Sequence, residues 1–112
     1  MDFDVSIDEH AEEYSIVTVR GEVDLHTAPK VQYAIERAQE NGGGPVVVVD
    51  MGGIDFMDST ALSMFARCKD NLEGQGTHLR FAAPSKAVER IFSVTGFRDY
   101  FDIFPTREEA TA

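Results

Sequence analysis

Apolar and polar residues alternate through Phe3, Val5 and Ile7 against Asp4, Ser6 and Asp8, the period of a half-buried strand. "YSIVTV", 14–19, is β-branched and aromatic and predicts a second strand, with Gly21 as its end. The polar "EHAEE" between them predicts a hairpin turn. Thr27 as N-cap and Pro29 in the first turn open a helix whose Val31, Ala34, Ile35 and Ala38 recur at helical spacing. "NGGGP", 41–45, stops it. "VVVV", 46–49, is apolar on both faces, as a central parallel strand should be.

Asp58 or Ser59 can cap the next helix, whose stripe is Ala61, Phe65, Cys68 and Leu72 and whose end is "EGQG". "HLRFAA", 78–83, predicts a fourth strand. Pro84 and Ser85 open a third helix, with Val88, Ile91 and Phe92 inward and Gly96 just beyond its end. Phe101, Ile103 and Phe104 predict a short strand or buried loop, and the phenylalanines at 97, 101 and 104 are expected to cover the last sheet edge. Thr106 and Glu109 form a capping box for a last short helix. The order β-β-α-β-α-β-α predicts one α/β domain over 1–112, with a core of about 3–104. Its sheet should be mixed and mostly parallel, four or five strands wide, with flanking helices.

Two strand-to-helix loops are chemically rich, "GEVDLHTAP" (21–29) and "MDST" (57–60). In parallel sheets such loops share the carboxyl edge, where binding sites form. Capping explains one of Asp58 and Ser59, but not a carboxylate followed by two hydroxyls. A nucleophilic serine would need a base and an oxyanion hole. "MDSTA" lacks the G-x-S-x-G elbow, and only His26 of the three histidines shares this edge, so no catalytic residue is assigned. "NGGGP" lacks the lysine of a phosphate loop.

The net charge of −10 sharpens the choice of partner. Residues 1–58 hold 13 acids and 3 bases, whereas residues 59–112 hold 7 of each. Such an acidic half repels phosphate backbones and argues against nucleic acid. Cys68 is the only cysteine, so the chain is expected to hold neither disulfide nor zinc cluster. With no apolar run of membrane length and an acidic start, a cytoplasmic protein without membrane insertion or cofactor is expected.

"FMDSTAL" resembles the "MDS[ST]GLG" signature of the STAS domain of bacterial anti-sigma factor antagonists. "GEVDLHTAP" resembles that family's "GE[IL]D…TAP" segment, and "IFSVTGF", 91–97, its "LFDITGL" segment. The resemblance runs from about Phe3 to Phe104. It implies a protein that binds an anti-sigma factor and so releases a sigma factor. That anti-sigma factor would also be a serine kinase with a histidine-kinase-type ATPase fold. It would phosphorylate Ser59, with Thr60 as a secondary acceptor, and a metal-dependent phosphatase would reverse the step. The implied partner surface is Asp24, Thr27, Met57, Asp58, Ser59, Thr60 and Leu62. Ala61 and Ser63 replace two family glycines, and a methyl at Ala61 is expected to bear on how closely a partner's backbone approaches. The alternative implied role is a STAS subunit of an ABC-type lipid-transport complex.

Overall fold

The computed structural model describes residues 3–10, 13–41 and 44–112. Strands β1 (Asp4–His10) and β2 (Tyr14–Val23) pair antiparallel, from Asp4 opposite Arg20 to His10 opposite Tyr14. Residues 11 and 12 of their connection, and 42 and 43 of the glycine run, lie outside the described residues. Strands β3 (Val46–Met57), β4 (His78–Ala82) and β5 (Asp102–Phe104) follow in parallel, in the spatial order β1-β2-β3-β4-β5. The expected mixed, mostly parallel sheet is the one observed.

Helices α1 (Ala28–Glu40), α2 (Ser59–Gly74) and α3 (Lys86–Thr95) supply apolar stripes to one core with Val17, Val19, Val47, Val49 and Phe81. A short α4 (Arg107–Thr111) covers the opposite face, where Ala110 meets Ile16, Val48 and Ala82. The "VVVV" run thus feeds both faces, as its lack of alternation predicts. Thr106 caps α4 by accepting the Glu109 N–H at 3.1 Å. Arg107 fastens the helix to the sheet through Asp50 and through the Thr18 hydroxyl, the latter at 2.8 Å.

Phe101 and Phe104 do not both cover the sheet edge. Phe101 enters the main core, with its ring 4.9 Å from that of Phe81. Phe104 packs on the opposite face. Phe101 immediately precedes β5 and Phe104 ends it, three positions on, so the alternation of extended chain sends them to opposite faces.

Gly21 does not end β2. It takes φ 97° within the strand, beside a shift in register between Gly21 and Glu22, so it marks a bulge rather than a stop. β3 is likewise longer than its valine run. Its pairing with β4 ends at Asp50 opposite Ala82, but its pairing with β2 continues to Met57 opposite Val23. Residues 51–57 and the end of β2 therefore project beyond the sheet as a two-stranded ladder. Gly53 makes the close approach possible, because a Cβ there would stand 2.8 Å from Arg20 Cγ.

Ser85 braces this projection. Its hydroxyl donates to the Ile54 carbonyl at 2.7 Å and accepts the Val88 N–H at 3.3 Å, capping α3 at the same time. Ser85→Ala removes both bonds and should destabilise the domain by about 1–2 kcal/mol in urea unfolding. A loss below about 0.5 kcal/mol, within the range of an ordinary surface substitution, would show that the brace carries no weight.

Candidate functional site

The two loops leave the end of the projecting ladder side by side. Val23 and Met57 are paired, and the Asp58 N–H donates to the Val23 carbonyl at 3.3 Å. Asp24 and Asp58 thus start their loops from neighbouring rungs, on the shared edge that the sequence predicts.

Asp58 is the N-cap of α2. Its backbone is extended (φ −108°, ψ −176°), and its Oδ1 accepts the Ala61 N–H at 3.0 Å. Its carbonyl accepts the Leu62 N–H at 3.2 Å. The cap is therefore the aspartate, and Ser59 is the first residue of the helix. Ser59 is exposed, and among the described residues its hydroxyl makes no hydrogen bond. Thr60 is half-buried and also makes none.

In the other loop Thr27 does not cap α1 as expected, and Asp24 organises the turn ahead of the helix. Thr27 stands at the N-cap position of α1, but its backbone is helical (φ −99°, ψ −22°) and its side chain caps nothing. Its hydroxyl accepts the Asp24 N–H at 3.0 Å and donates to the Glu22 carbonyl at 2.7 Å. The Asp24 carboxylate accepts the N–H groups of His26 at 2.9 Å and Thr27 at 3.1 Å. The two side chains thus close the turn reciprocally, and the bonds to the anionic acceptor are the stronger ones. The Thr27 N–H bond is the main cause of an Asp24 pKa below the ordinary value of 3.8. Desolvation opposes it, and the bond from His26 adds to it. The His26 imidazole stands exposed, so the loop uses its N–H rather than its ring.

Met57 and Leu62, 3 % and 5 % exposed, lie in the core beneath the site and support it from below. Ala61 is 0 % exposed. Its methyl points into the core, so the expectation that it would meet a partner's backbone is corrected. Two exposed apolar residues were missed by sequence reasoning. Leu25, 66 % exposed, follows Asp24, and Phe56, 47 % exposed, lies two residues before Asp58. Leu25 was legible as the one large apolar side chain after Asp24 in an otherwise polar turn. Phe56 opens into a groove of about 380 Å³ with Lys86, Ala87, Arg90 and Ile91, which adds a cationic flank to the acidic loops. Among the described residues no group of three or more His, Cys, Asp and Glu side chains could hold a metal ion. No helix among them is long and apolar enough to cross a membrane.

The family model of the STAS domain matches residues 5–110. The anti-sigma-B factor antagonist of Listeria monocytogenes is 32 % identical over 103 residues, covering 92 % of this chain and 90 % of that protein. The crystal structure of an anti-sigma factor antagonist from Mycobacterium paratuberculosis superposes with a TM-score of 0.84 at 28 % identity, covering 97 % of this chain and 91 % of that one. The Bacillus cell fate determinant SpoIIAA in its phosphorylated form shares the fold at a TM-score of 0.71 and 20 % identity, over 96 % of each chain.

The geometry of the Asp24 turn has a measurable consequence. Because the folded pKa is lowered, the stabilisation from the ionised carboxylate is complete above 3.8 and is lost as pH falls through the folded value. Carbon-detected NMR should place the Asp24 carboxyl midpoint below 3.8. The stability gap between wild type and Asp24→Asn should be level at neutral pH and narrow on acidification. A midpoint at or above 3.8 would contradict the bonding described.

Proposed function

This chain belongs to the STAS domain family, and we propose that within it the chain acts as an anti-sigma factor antagonist, a binding protein rather than an enzyme. Its partner is an anti-sigma factor that is also a serine kinase. Binding to that partner releases a sigma factor, phosphorylation of Ser59 ends the binding, and a metal-dependent phosphatase restores it. The names of the Listeria relative and of the Mycobacterium structure support the role. The observation that carries the site is Ser59 itself, exposed and unbonded at the first residue of α2, while Asp58 does the capping.

Two effects compete once Ser59 is phosphorylated. The N–H groups of Ser59 and Thr60 lie in the first turn, where an α-helix supplies no acceptor. With the helix dipole they favour an anion by about 0.3–1 kcal/mol. Within the free domain this largely offsets repulsion from Asp24, Asp55 and Asp58, which water and salt screen. At an interface the balance reverses. A phosphoserine brings about −1.5 to −2 charges, and a partner closing over it strips away water that the helix end alone does not replace. Leaving such a charge buried and unpaired costs about 3–5 kcal/mol, a loss of at least about 10²-fold in affinity.

Ser59 is the principal acceptor in this reading, because it is exposed where Thr60 is half-buried. Kinase labelling should therefore disappear in Ser59→Ala and persist in Thr60→Ala. Ser59→Ala should keep both fold and anti-sigma binding. Ser59→Asp should melt within a few degrees of wild type and lose binding by about 10²-fold in calorimetry, for the reason above. Phosphorylated wild type that still binds its anti-sigma factor would overturn the mechanism. Capture of a transporter ATPase in place of a kinase-type partner would transfer the chain to the lipid-transport role.

A further inference from the structure

We propose that α4 is a lock on the projecting ladder. Arg107 fixes the rung at the root of the ladder, and with it the direction in which the Asp24 and Ser59 loops point. It is a positioning residue, and the lock is independent of any modification of Ser59.

The root is a single rung. Thr18 of β2 is paired with Asp50 of β3, and Asp50 is also the last residue of β3 paired with β4, opposite Ala82. The next pair towards the site is Arg20 with Gly53. Met51 and Gly52 thus stand against Val19 alone, two residues against one, which is the count of a bulge. A bulge bends its strand and raises the local twist, so the setting of this one aims everything beyond it.

Arg107 grips both strands of that rung. Its Nε donates to Asp50 Oδ2, and its Nη2 donates to the Thr18 hydroxyl at 2.8 Å. A guanidinium is planar, so two of its N–H groups bonded at once fix their acceptors relative to each other. The other oxygen of Asp50 acts inside the bulge, where Oδ1 accepts the Gly52 N–H at 2.9 Å. One carboxylate therefore joins helix to bulge. Its side chain is only 15 % exposed. Without Arg107 it is a mostly buried anion lacking its cation, a costly state that ends when the carboxylate turns to water. That turn takes Oδ1 from Gly52 and frees the bulge.

α4 is suited to be the movable part. It has five residues, too few for a helix to persist by itself. Ala110 is its one buried residue. Its other ties are polar: the Thr106 cap, the bonds of Arg107, and Arg80 Nη1, which donates to the Ala110 carbonyl at 2.9 Å. Elements held by few buried apolar contacts open before the rest of a fold. The docked and undocked states of α4 are then the locked and unlocked states of the ladder. Met51, Ile54 and Met57 anchor the ladder in the main core, so unlocking re-aims it without unfolding it.

Amide NMR on the whole chain tests the lock with four variants. Arg107→Gln removes the guanidinium. Arg107→Lys keeps a cation for Asp50 but has no second arm for Thr18. Thr18→Val removes that acceptor and keeps a side chain suited to a strand. Thr106→Ala weakens the α4 cap, and the Thr106 hydroxyl bonds the Glu109 N–H rather than either strand. The reporter is the Asp58 amide, bonded to Val23 at the far end of the ladder. Its resonance and those of residues 53–57 should move along one line, from wild type at one end to Arg107→Gln at the other, as a population shift requires. Arg107→Gln should raise the unlocked share about tenfold, read as relaxation dispersion at residues 20–24 and 52–58, with residues 31–38 of α1 unchanged. Shifts confined to the residues that α4 touches would show a helix that merely covers the sheet, and would overturn the proposal. So would a ladder that responds to Arg107→Gln but not to Thr106→Ala, because the ion pair would then act without the helix.

Discussion

The Asp58 N–H bonded to the Val23 carbonyl is the last rung between β2 and β3, and the arrangement of the site depends on it. Parallel strands give neighbouring residues the same direction of travel, so two loops that leave paired rungs start together and point the same way. Val23 and Met57 are such a pair. The pairing holds beyond the end of β4 only because the local chain permits it. Gly53 leaves room for the Arg20 side chain, Gly21 absorbs a bulge, and Ser85 bonds the Ile54 carbonyl. The projection lifts both loops clear of the rest of the sheet, where a protein surface can reach them.

The two aspartates divide the polar work and leave the hydroxyl of Ser59 over. Each carboxylate is occupied with backbone N–H groups, Asp24 with those of His26 and Thr27, and Asp58 with that of Ala61. Helix starts need such acceptors, and a carboxylate supplies them without help from the next residue. Structural capping and a surface function at "DST" are therefore complementary. Because Asp58 satisfies the helix, Ser59 is free of that duty. The acidity of the edge follows from the same economy, since the cap of α2 and the acceptor of the neighbouring turn are both anionic, and it sets the electrostatic condition under which any further negative charge at Ser59 would act.

Element order, the shared loop edge and the cap at Thr106 were legible because each rests on local chemistry: period, turn residues, an oxygen placed before free N–H groups. The readings that failed concern competition between neighbours. Thr27 has the side chain of an N-cap, but the Asp24 N–H and the Glu22 carbonyl engage its hydroxyl, so it turns back into the loop and caps nothing. Gly21 reads as a stop, yet a glycine with positive φ inside a strand is also what a bulge requires, and only the partner strand decides between them. The burial of Ala61 and Leu62 follows from the rotation of α2 about its axis, and that of Met57 from its place at the end of β3. A seven-residue motif does not reveal that rotation, so it shows which residues belong to the site but not which of them face outward.

That burial bears on how a switch at Ser59 would act. Ala61, Met57, Leu62 and Phe65 are at most 5 % exposed directly beneath the start of α2. Displacing one such side chain far enough to open a cavity costs about 2–5 kcal/mol. The forces that a surface charge exerts on the free domain are smaller, about 0.3–1 kcal/mol from the helix end and about 0–1 kcal/mol from each exposed neighbouring charge. Against that difference the helix stays where it is, and the cheapest response to phosphorylation is no rearrangement at all. A conformational relay from Ser59 into the core would need a soft element between them, but the first turn of α2 is capped above by Asp58 and packed below by the core. In the proposed function the information is therefore carried by charge at the surface. It is read only when a partner removes the water that makes that charge inexpensive.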